Sequence, residues 1–363
     1  MGVIEAPDKY ENKIRIADAG ELIAKVGRNA LILAGIRAYE AAGKPLEETL
    51  TSSGISFRTE ILAGYPTLSR AQALGERIKA EGYDLVIAVG GGRIMDQSKA
   101  AADFGGVHIV TIPTIAATCA AWSVLSVLYT EEGAQDTYLY TKESPKLIIV
   151  DKELILAAPE RYLISGVTDA IAKWYEIRSN FNGNEYDLEL RLQIKVSELI
   201  LELLEKEFLD AASAGTDSIP YQIKSNAVDA NIFLAGLTGS ILGNVPYGGL
   251  AHPFYNRATH LKATHVRLHG EIVSFGTEVQ LLIEGRSEDE IKQRAVKLKA
   301  VGAPVTLEEL GITEDVEGSV RFIAKGILER VGDYASAEVK LSEDTLTQAI
   351  FKADEIGRSL CSH

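Results

Sequence analysis

Cysteine, basic charge and long apolar runs are all scarce in this sequence, and each shortage excludes something. Cys119 and Cys361 are the 2 cysteines among 363 residues, so a disulfide framework is excluded and a reducing cytoplasm is the expected setting. The 37 Lys and Arg are outnumbered by 51 Asp and Glu, for a formal net charge of -14. Such a surface repels nucleic acid and anionic membranes at long range, so neither is an expected partner. No apolar stretch approaches the ~20 residues needed to span a bilayer. The segment from Met1 to Lys25 mixes Glu, Asp and Lys without an apolar core, so no signal peptide is expected. Neither an internal repeat nor a low-complexity segment is present.

What is present is the composition of a globular chain, 46% hydrophobic and 24% charged. At ~150 residues per domain its length suggests two domains. Up to residue 150, short aliphatic and β-branched runs (29–34, 57–62, 85–89, 108–112, 124–129, 146–150) alternate with amphipathic stretches such as 68–79. That alternation predicts an α/β domain with a parallel, Rossmann-like sheet. After Asp151 the alternation stops and helical patterns take over: Pro159-Glu160 reads as a helix start, and 188–209 as an amphipathic helix. Gly302-Ala303-Pro304 and Ser342-Glu343-Asp344 read as breaks between helices. The division is placed at 155/156, with an α/β domain over 1–155 and an all-α domain over 156–363. Open α/β sheets bind ligands at the carboxyl ends of their strands, so a cleft facing the helical domain is the expected site.

Two features carry chemistry. Gly90-Gly91-Gly92-Arg93-Ile94-Met95-Asp96 follows an apolar strand and opens a helix. Glycines let backbone approach a pyrophosphate, and a helix N-terminus offers free N–H groups to an anion. A plain strand–helix turn is the alternative, and the run is not GxGxxG. The second feature is Asp169, early in a helix, with His252 and His269. One carboxylate and two imidazoles leave coordination positions open, as a catalytic Zn²⁺ or Fe²⁺ requires. With 6 histidines in the chain, ordinary surface or core histidines are the competing explanation.

Taken together, these residues resemble the iron-type (group III) alcohol dehydrogenase and glycerol dehydrogenase family and, more distantly, dehydroquinate synthase. The resemblance runs through Pro7-Asp8-Lys9-Tyr10, the glycine run with Lys99, and Ile112-Pro113-Thr114-Ile115-Ala116-Ala117-Thr118. It continues through Leu125-Ser126-Val127-Leu128-Tyr129, the segments 165–174 and 248–256, and 268–276. It implies a dehydroquinate synthase-like fold in which Gly91, Gly92, Arg93, Ile94, Met95 and Asp96 meet the cofactor pyrophosphate. Thr114, Ile115, Ala116 and Ala117 would lie near the adenosine half, and Ser123, Leu125 and Tyr129 would line the nicotinamide side. Asp169, His252 and His269 fall on the family's divalent-metal positions, with His252 also beside the substrate.

The sequence departs from glycerol dehydrogenases at several points. Their acidic residue after the first strand, which holds the ribose of NAD, is Gly35 here, followed by Ile36-Arg37. A missing carboxylate removes repulsion against a 2′-phosphate, and Arg37 can bind one, so NADP joins NAD as a candidate; an ordinary exposed arginine is the alternative. Their substrate-holding Asp is Cys119, within Thr118-Cys119-Ala120-Ala121. Cys119 cannot replace that acceptor for a polyol, and it no longer repels an anion; a packed thiol accounts for it better than a nucleophile. Lys173 lies one helical turn from Asp169, placed to attract a substrate carboxylate, to pair with Asp169 or to reach solvent. Tyr255 stands where a second histidine is common after the first histidine ligand.

The run from Thr114 to Trp122 looks most like the hydroxycarboxylate dehydrogenase branch. The expected function is therefore metal-dependent, NAD(P)-linked interconversion of a small 2-hydroxy acid and its 2-oxo acid. Glycerol or 1,2-diol oxidation is the alternative. A dehydroquinate synthase-like lyase would need a cluster of basic residues that the matched motifs lack, and a non-catalytic binding module would not need the three ligands. A small-molecule substrate and a homo-oligomer are the expected partners.

Overall fold

β-Branched and aliphatic runs that are apolar on both faces have only one stable home, a parallel strand covered by helices on each side. The computed structural model describes every residue except Met1, Gly2, Asn182, Ala214, 216–218, 244–247, Asp333, Ala335, Val339 and 361–363. Six strands build the main sheet: β1 (Tyr10–Glu11), β2 (Asn29–Gly35), β3 (Ser56–Leu62), β4 (Leu85–Gly90), β5 (His108–Pro113) and β8 (Leu147–Ile149). Their order is β1-β8-β5-β4-β2-β3, with every pairing parallel. The central β4 is buried at every residue, as its unbroken Leu85-Val86-Ile87-Ala88-Val89 run requires.

The run at 124–129 behaves differently. Expected among the strands of the α/β alternation, it forms β6 (Leu125–Tyr129), which pairs antiparallel with β7 (Gln135–Tyr140) in a separate two-stranded ribbon. The reason is visible in its residues: Leu125-Ser126-Val127-Leu128-Tyr129 alternates buried with half-buried positions, as a one-sided ribbon does.

By packing, the chain forms two compact units. One is Ile4–Leu163 with Asn231–Ser240; the other is Met1–Val3, Ile164–Ala230 and Ile241–His363. Residues 156–163 and 231–240 thus count with the sheet, whereas a division at 155/156 gives them to the helical part. Specific bonds hold 231–240 there. Asn231 Nδ2 donates to Ala116 O (2.9 Å) and Leu163 O (3.2 Å), and Trp122 Nε1 donates to Ser240 Oγ (2.9 Å). Phe233 stacks on Tyr10 at 5.4 Å.

In the helical unit the central element is the His269–Ile283 helix, buried along nearly its whole length. The helices Ala251–Ala258, Val316–Val331 and Glu343–Ser359 complete a core that includes Phe254, Phe275, Ile323 and Ile350. The 188–209 pattern is observed as Leu188–Leu201 continuing into a π-helical stretch, Glu202–Phe208. Apart from the two-residue strand Ile241–Leu242, no strand follows residue 151 among the described residues. None of their helices is long and apolar enough to cross a membrane. Cys119 carries no disulfide, and Cys361 lies outside the described residues.

Two glycines set how closely the central helix is approached. A Cβ on Gly270 would lie 1.7 Å from Ser165 O of the Glu160–Arg178 helix, and one on Gly276 would lie 2.8 Å from Ala251 O. Backbone itself is the obstacle at both positions. Gly270→Ala is therefore expected to destabilise the fold by about 1–3 kcal/mol, through forced separation of the two helices. Urea denaturation followed by circular dichroism measures this, and an unchanged midpoint would contradict the packing described.

Candidate functional site

The same close approaches bring Asp169, His252 and His269 together from three helices. Gly270 N donates to Ser165 Oγ (3.1 Å), and Thr168 Oγ1 donates to Gly270 O (2.9 Å), pinning the start of the 269–283 helix beside Asp169. His252 occupies the first turn of the 251–258 helix, whose approach Gly276 permits. As a result Asp169 Oδ1 lies 3.1 Å from His269 Nε2 and 3.3 Å from His252 Nε2. The three ligand atoms all lie within 4.8 Å of one another. Tyr255 packs edge-on against the His269 ring, with centroids 4.1 Å apart.

Burial is the largest single influence on the cluster, but the charged partners together outweigh it. Burial alone would raise the Asp169 carboxyl. The His269 charge, hydrogen bonds with both imidazoles and the Lys173 ammonium outweigh it, and hold Asp169 well below the ordinary carboxylate range. Burial likewise works against charge on His252, yet Glu176 and Asp169 push its pKa up to about 9. Glu176 is fully buried, and its Oε2 lies 2.5 Å from His252 Nδ1. Two carboxylates thus crowd one imidazole in a site of low dielectric.

A divalent cation fits this donor set. Ligand atoms ~2.1 Å from a common tetrahedral centre lie roughly 3.4 Å apart, close to the separations seen around Asp169 Oδ1. The ion would also supply the positive charge that the two carboxylates otherwise draw from protons.

The cofactor candidates gather in the sheet unit. Gly91, in extended conformation, caps the Gly92–Gly105 helix at the carboxyl end of β4, and its carbonyl accepts from Ile94 N and Met95 N. The N–H groups ahead of these have no acceptor within the helix and suit an anion. Packing also demands the glycines. A Cβ on Gly90 would meet Ile94 Cβ at 2.8 Å, and one on Gly91 would meet Ile115 Cδ1 at 2.6 Å. Thr114 N donates to Gly90 O (3.1 Å), joining the 114–118 loop to the turn. Arg93 lies over the Tyr65 ring at 4.0 Å, and Tyr65 neighbours Tyr129 at 5.7 Å. Within the run from Gly91 to Asp96, Met95 is buried, and so is Asp96, which pairs with Lys99 at 3.2 Å. Ala116 is buried too, while Ile115, Ala117, Cys119, Ser123 and Leu125 are half-buried. Arg37 is exposed in the first turn of the Ile36–Ser52 helix.

Sequence reasoning assigns no role to two residues of this arrangement, Lys99 and Glu176. Lys99 is almost fully buried, and its Nζ donates to Ser123 O (2.8 Å) and Leu125 O (2.5 Å), fixing the loop that carries both cofactor candidates. Glu176 follows Asp169 by two helical turns, so Asp169, Lys173 and Glu176 share one face of the 160–178 helix. That spacing was the available signal. The contact with His252 was not, because 76 residues separate the pair.

Comparison with known proteins identifies relatives of this chain. The profile of the iron-containing alcohol dehydrogenase family matches residues 8–152. Glycolaldehyde reductase of Halobacterium salinarum is 30% identical, covering 98% of both chains. Hydroxycarboxylate dehydrogenase A of Escherichia coli K12 is 32% identical over 77% of this chain and 78% of its own. The crystal structure of a probable glycerol dehydrogenase from Sinorhizobium meliloti superposes with a TM-score of 0.86 at 28% identity, covering 99% of each chain. The chain belongs to the iron-containing alcohol dehydrogenase family, and it is an NAD(P)-dependent oxidoreductase whose cofactors include a divalent metal.

Proposed function

We propose that the protein interconverts a small 2-hydroxy acid and the corresponding 2-oxo acid, with the dinucleotide held by the α/β part (1–155) and metal and substrate by the helical part (156–363). The observation that carries this reading is Lys173. It is 9% exposed, lies one turn from Asp169, and its charge acts on that carboxylate. A cation beside the metal ligands suits a substrate bearing a carboxylate next to its carbinol carbon. Cys119, in place of the Asp of glycerol dehydrogenases, removes a negative charge that such a substrate would meet. The similarity to a hydroxycarboxylate dehydrogenase supports the same choice.

In this reading Asp169, His252 and His269 hold the ion. When bound, a divalent ion there would supply Lewis acidity and a nicotinamide cofactor would supply hydride-transfer chemistry. The chain's own residues supply placement. Asp169 contributes the anionic ligand, Glu176 orients His252, and Tyr255 fixes the plane of the His269 ring. On the cofactor side, the helix N-terminus at Gly91 and Gly92 receives the pyrophosphate, and Lys99 keeps the Ser123–Leu125 segment in position beside the nicotinamide. Thr114, with Ile115 to Ala117, serves the adenosine half.

The similarity to glycolaldehyde reductase and glycerol dehydrogenase favours a second reading, a diol or hydroxyaldehyde substrate, which shares the pair of adjacent oxygens. A steady-state panel of 2-oxo acids, glycolaldehyde and glycerol separates the two. The expected outcome is a higher kcat/KM on 2-oxobutyrate than on glycerol, and the reverse order overturns the hydroxy-acid reading. Lys173→Met is expected to lower kcat/KM on 2-oxobutyrate by roughly 10–100-fold, the worth of a hydrogen bond to a charged group, and to lower it much less on glycerol. Equal losses on both substrates would contradict a role for Lys173 in binding the carboxylate.

Arg37 is proposed to bind the 2′-phosphate of NADP(H). Arg37→Ala is expected to raise KM for NADPH by roughly 10–100-fold with little change for NADH. Equal effects on the two cofactors would remove Arg37 from the site.

A further inference from the structure

The start of the helix that carries His252 presents an unusual accounting problem. Backbone N–H groups in the first turn of a helix have no acceptor within it, and a side chain at the N-cap usually provides one. Here the N-cap is Leu250, which has no acceptor to offer. The acceptors come from neighbouring helices instead. Gln280 Oε1 accepts from Leu250 N (2.8 Å), and Glu176 Oε1 accepts from His252 N (2.9 Å). The second oxygen of Glu176 lies 2.5 Å from Nδ1 of the same histidine. One buried carboxylate therefore grips both the backbone and the ring of His252. The fit is tight: a Cβ on Gly249 would meet Glu176 Cγ at 2.1 Å.

Resting on the metal-site reading above, we infer that Glu176 is the positioning residue that sets the tautomer of His252: it holds the proton on Nδ1 and leaves the Nε2 lone pair facing Asp169 and His269. With an ion on Nε2 in place of a proton, the hydrogen bonds of His252 to Glu176 are satisfied in one way. Both Glu176 oxygens are acceptors, so both atoms of His252 that face them must be donors. Nε2, 3.3 Å from Asp169 Oδ1, is then the nitrogen left for a metal ion. A carboxylate behind the ring also makes the imidazole a stronger base toward the ion, and losing such a partner commonly weakens metal affinity by about 10–100-fold.

Glu176→Gln keeps the shape and breaks the pattern. Its amide has one acceptor and one donor group. If the amide oxygen takes the backbone N–H, the NH₂ group faces Nδ1 and forces the proton onto Nε2, where the metal belongs. If the amide is reversed, NH₂ meets the backbone N–H and two donors oppose each other.

The test uses full-length protein, Zn²⁺ as the probe, and competition with a chromophoric chelator. NADH binding by fluorescence and the melting temperature of the metal-free form serve as checks on the rest of the fold. The expected result is a ~10–100-fold loss of Zn²⁺ affinity in Glu176→Gln with NADH binding retained. Nitrogen-15 spectra of histidine-labelled, Zn²⁺-loaded wild-type protein give a second readout that needs no variant. They are expected to show His252 protonated at Nδ1 and metal-bound at Nε2. Wild-type Zn²⁺ affinity in Glu176→Gln, or a wild-type spectrum with His252 unprotonated at Nδ1, overturns the role of Glu176 alone. Failure of wild-type protein to take up Zn²⁺ overturns the metal-site reading and this inference with it.

Discussion

Asp169 and Glu176 place two carboxylates, almost entirely out of contact with water, on either side of one imidazole. A charge buried in this way is tolerated only when it is paired and hydrogen-bonded. Burial works against a charge on His252, and the two carboxylates outweigh it, holding its pKa up at about 9. A divalent cation meets the same demand with more charge and a fixed geometry. The rest of the helical unit follows from holding these groups close enough to need one.

Holding them close is a matter of backbone. Gly270 lies against the 160–178 helix and Gly276 against the 251–258 helix, so the central helix meets both neighbours without side chains between. His269 is delivered by the first contact and His252 by the second. Gly249 does the same for Glu176, letting the turn before His252 rest directly on the carboxylate stem. Three helices with ordinary side chains at these crossings would stand too far apart for their ligands to share an ion. In the sheet unit the logic repeats on a smaller scale. Gly90 and Gly91 admit Ile94 and Ile115, and the turn that results leaves a helix N-terminus open at the carboxyl end of β4.

The sequence made much of this legible, for reasons that differ by element. Strand β4 was readable because five apolar residues followed by three glycines permit little else, and the 68–79 pattern was readable from its helical period. Strand β1 was not, because Tyr10–Glu11 is two residues long and owes its pairing to β8. The 125–129 strand was readable as a strand but not as half of a ribbon, since its partner, Gln135–Tyr140, is too polar to stand out. The three ligands were legible only through the resemblance to a family, because spacings of 83 and 17 residues carry no helical or turn signature. Glu176 and the crossing glycines were invisible for a related reason: their roles are contacts between elements distant in sequence. The placement of 231–240 with the sheet falls in the same class, because it depends on Asn231 and Phe233 meeting groups more than a hundred residues earlier.

The central claim is that the buried cluster of Asp169, His252 and His269 holds one catalytic ion. Elemental analysis of purified protein, paired with turnover before and after chelation, addresses it most directly. The account predicts roughly one divalent ion per chain, loss of turnover on its removal with NAD(P)H still bound, and recovery on adding the ion back. Full turnover in protein free of divalent metal would contradict it.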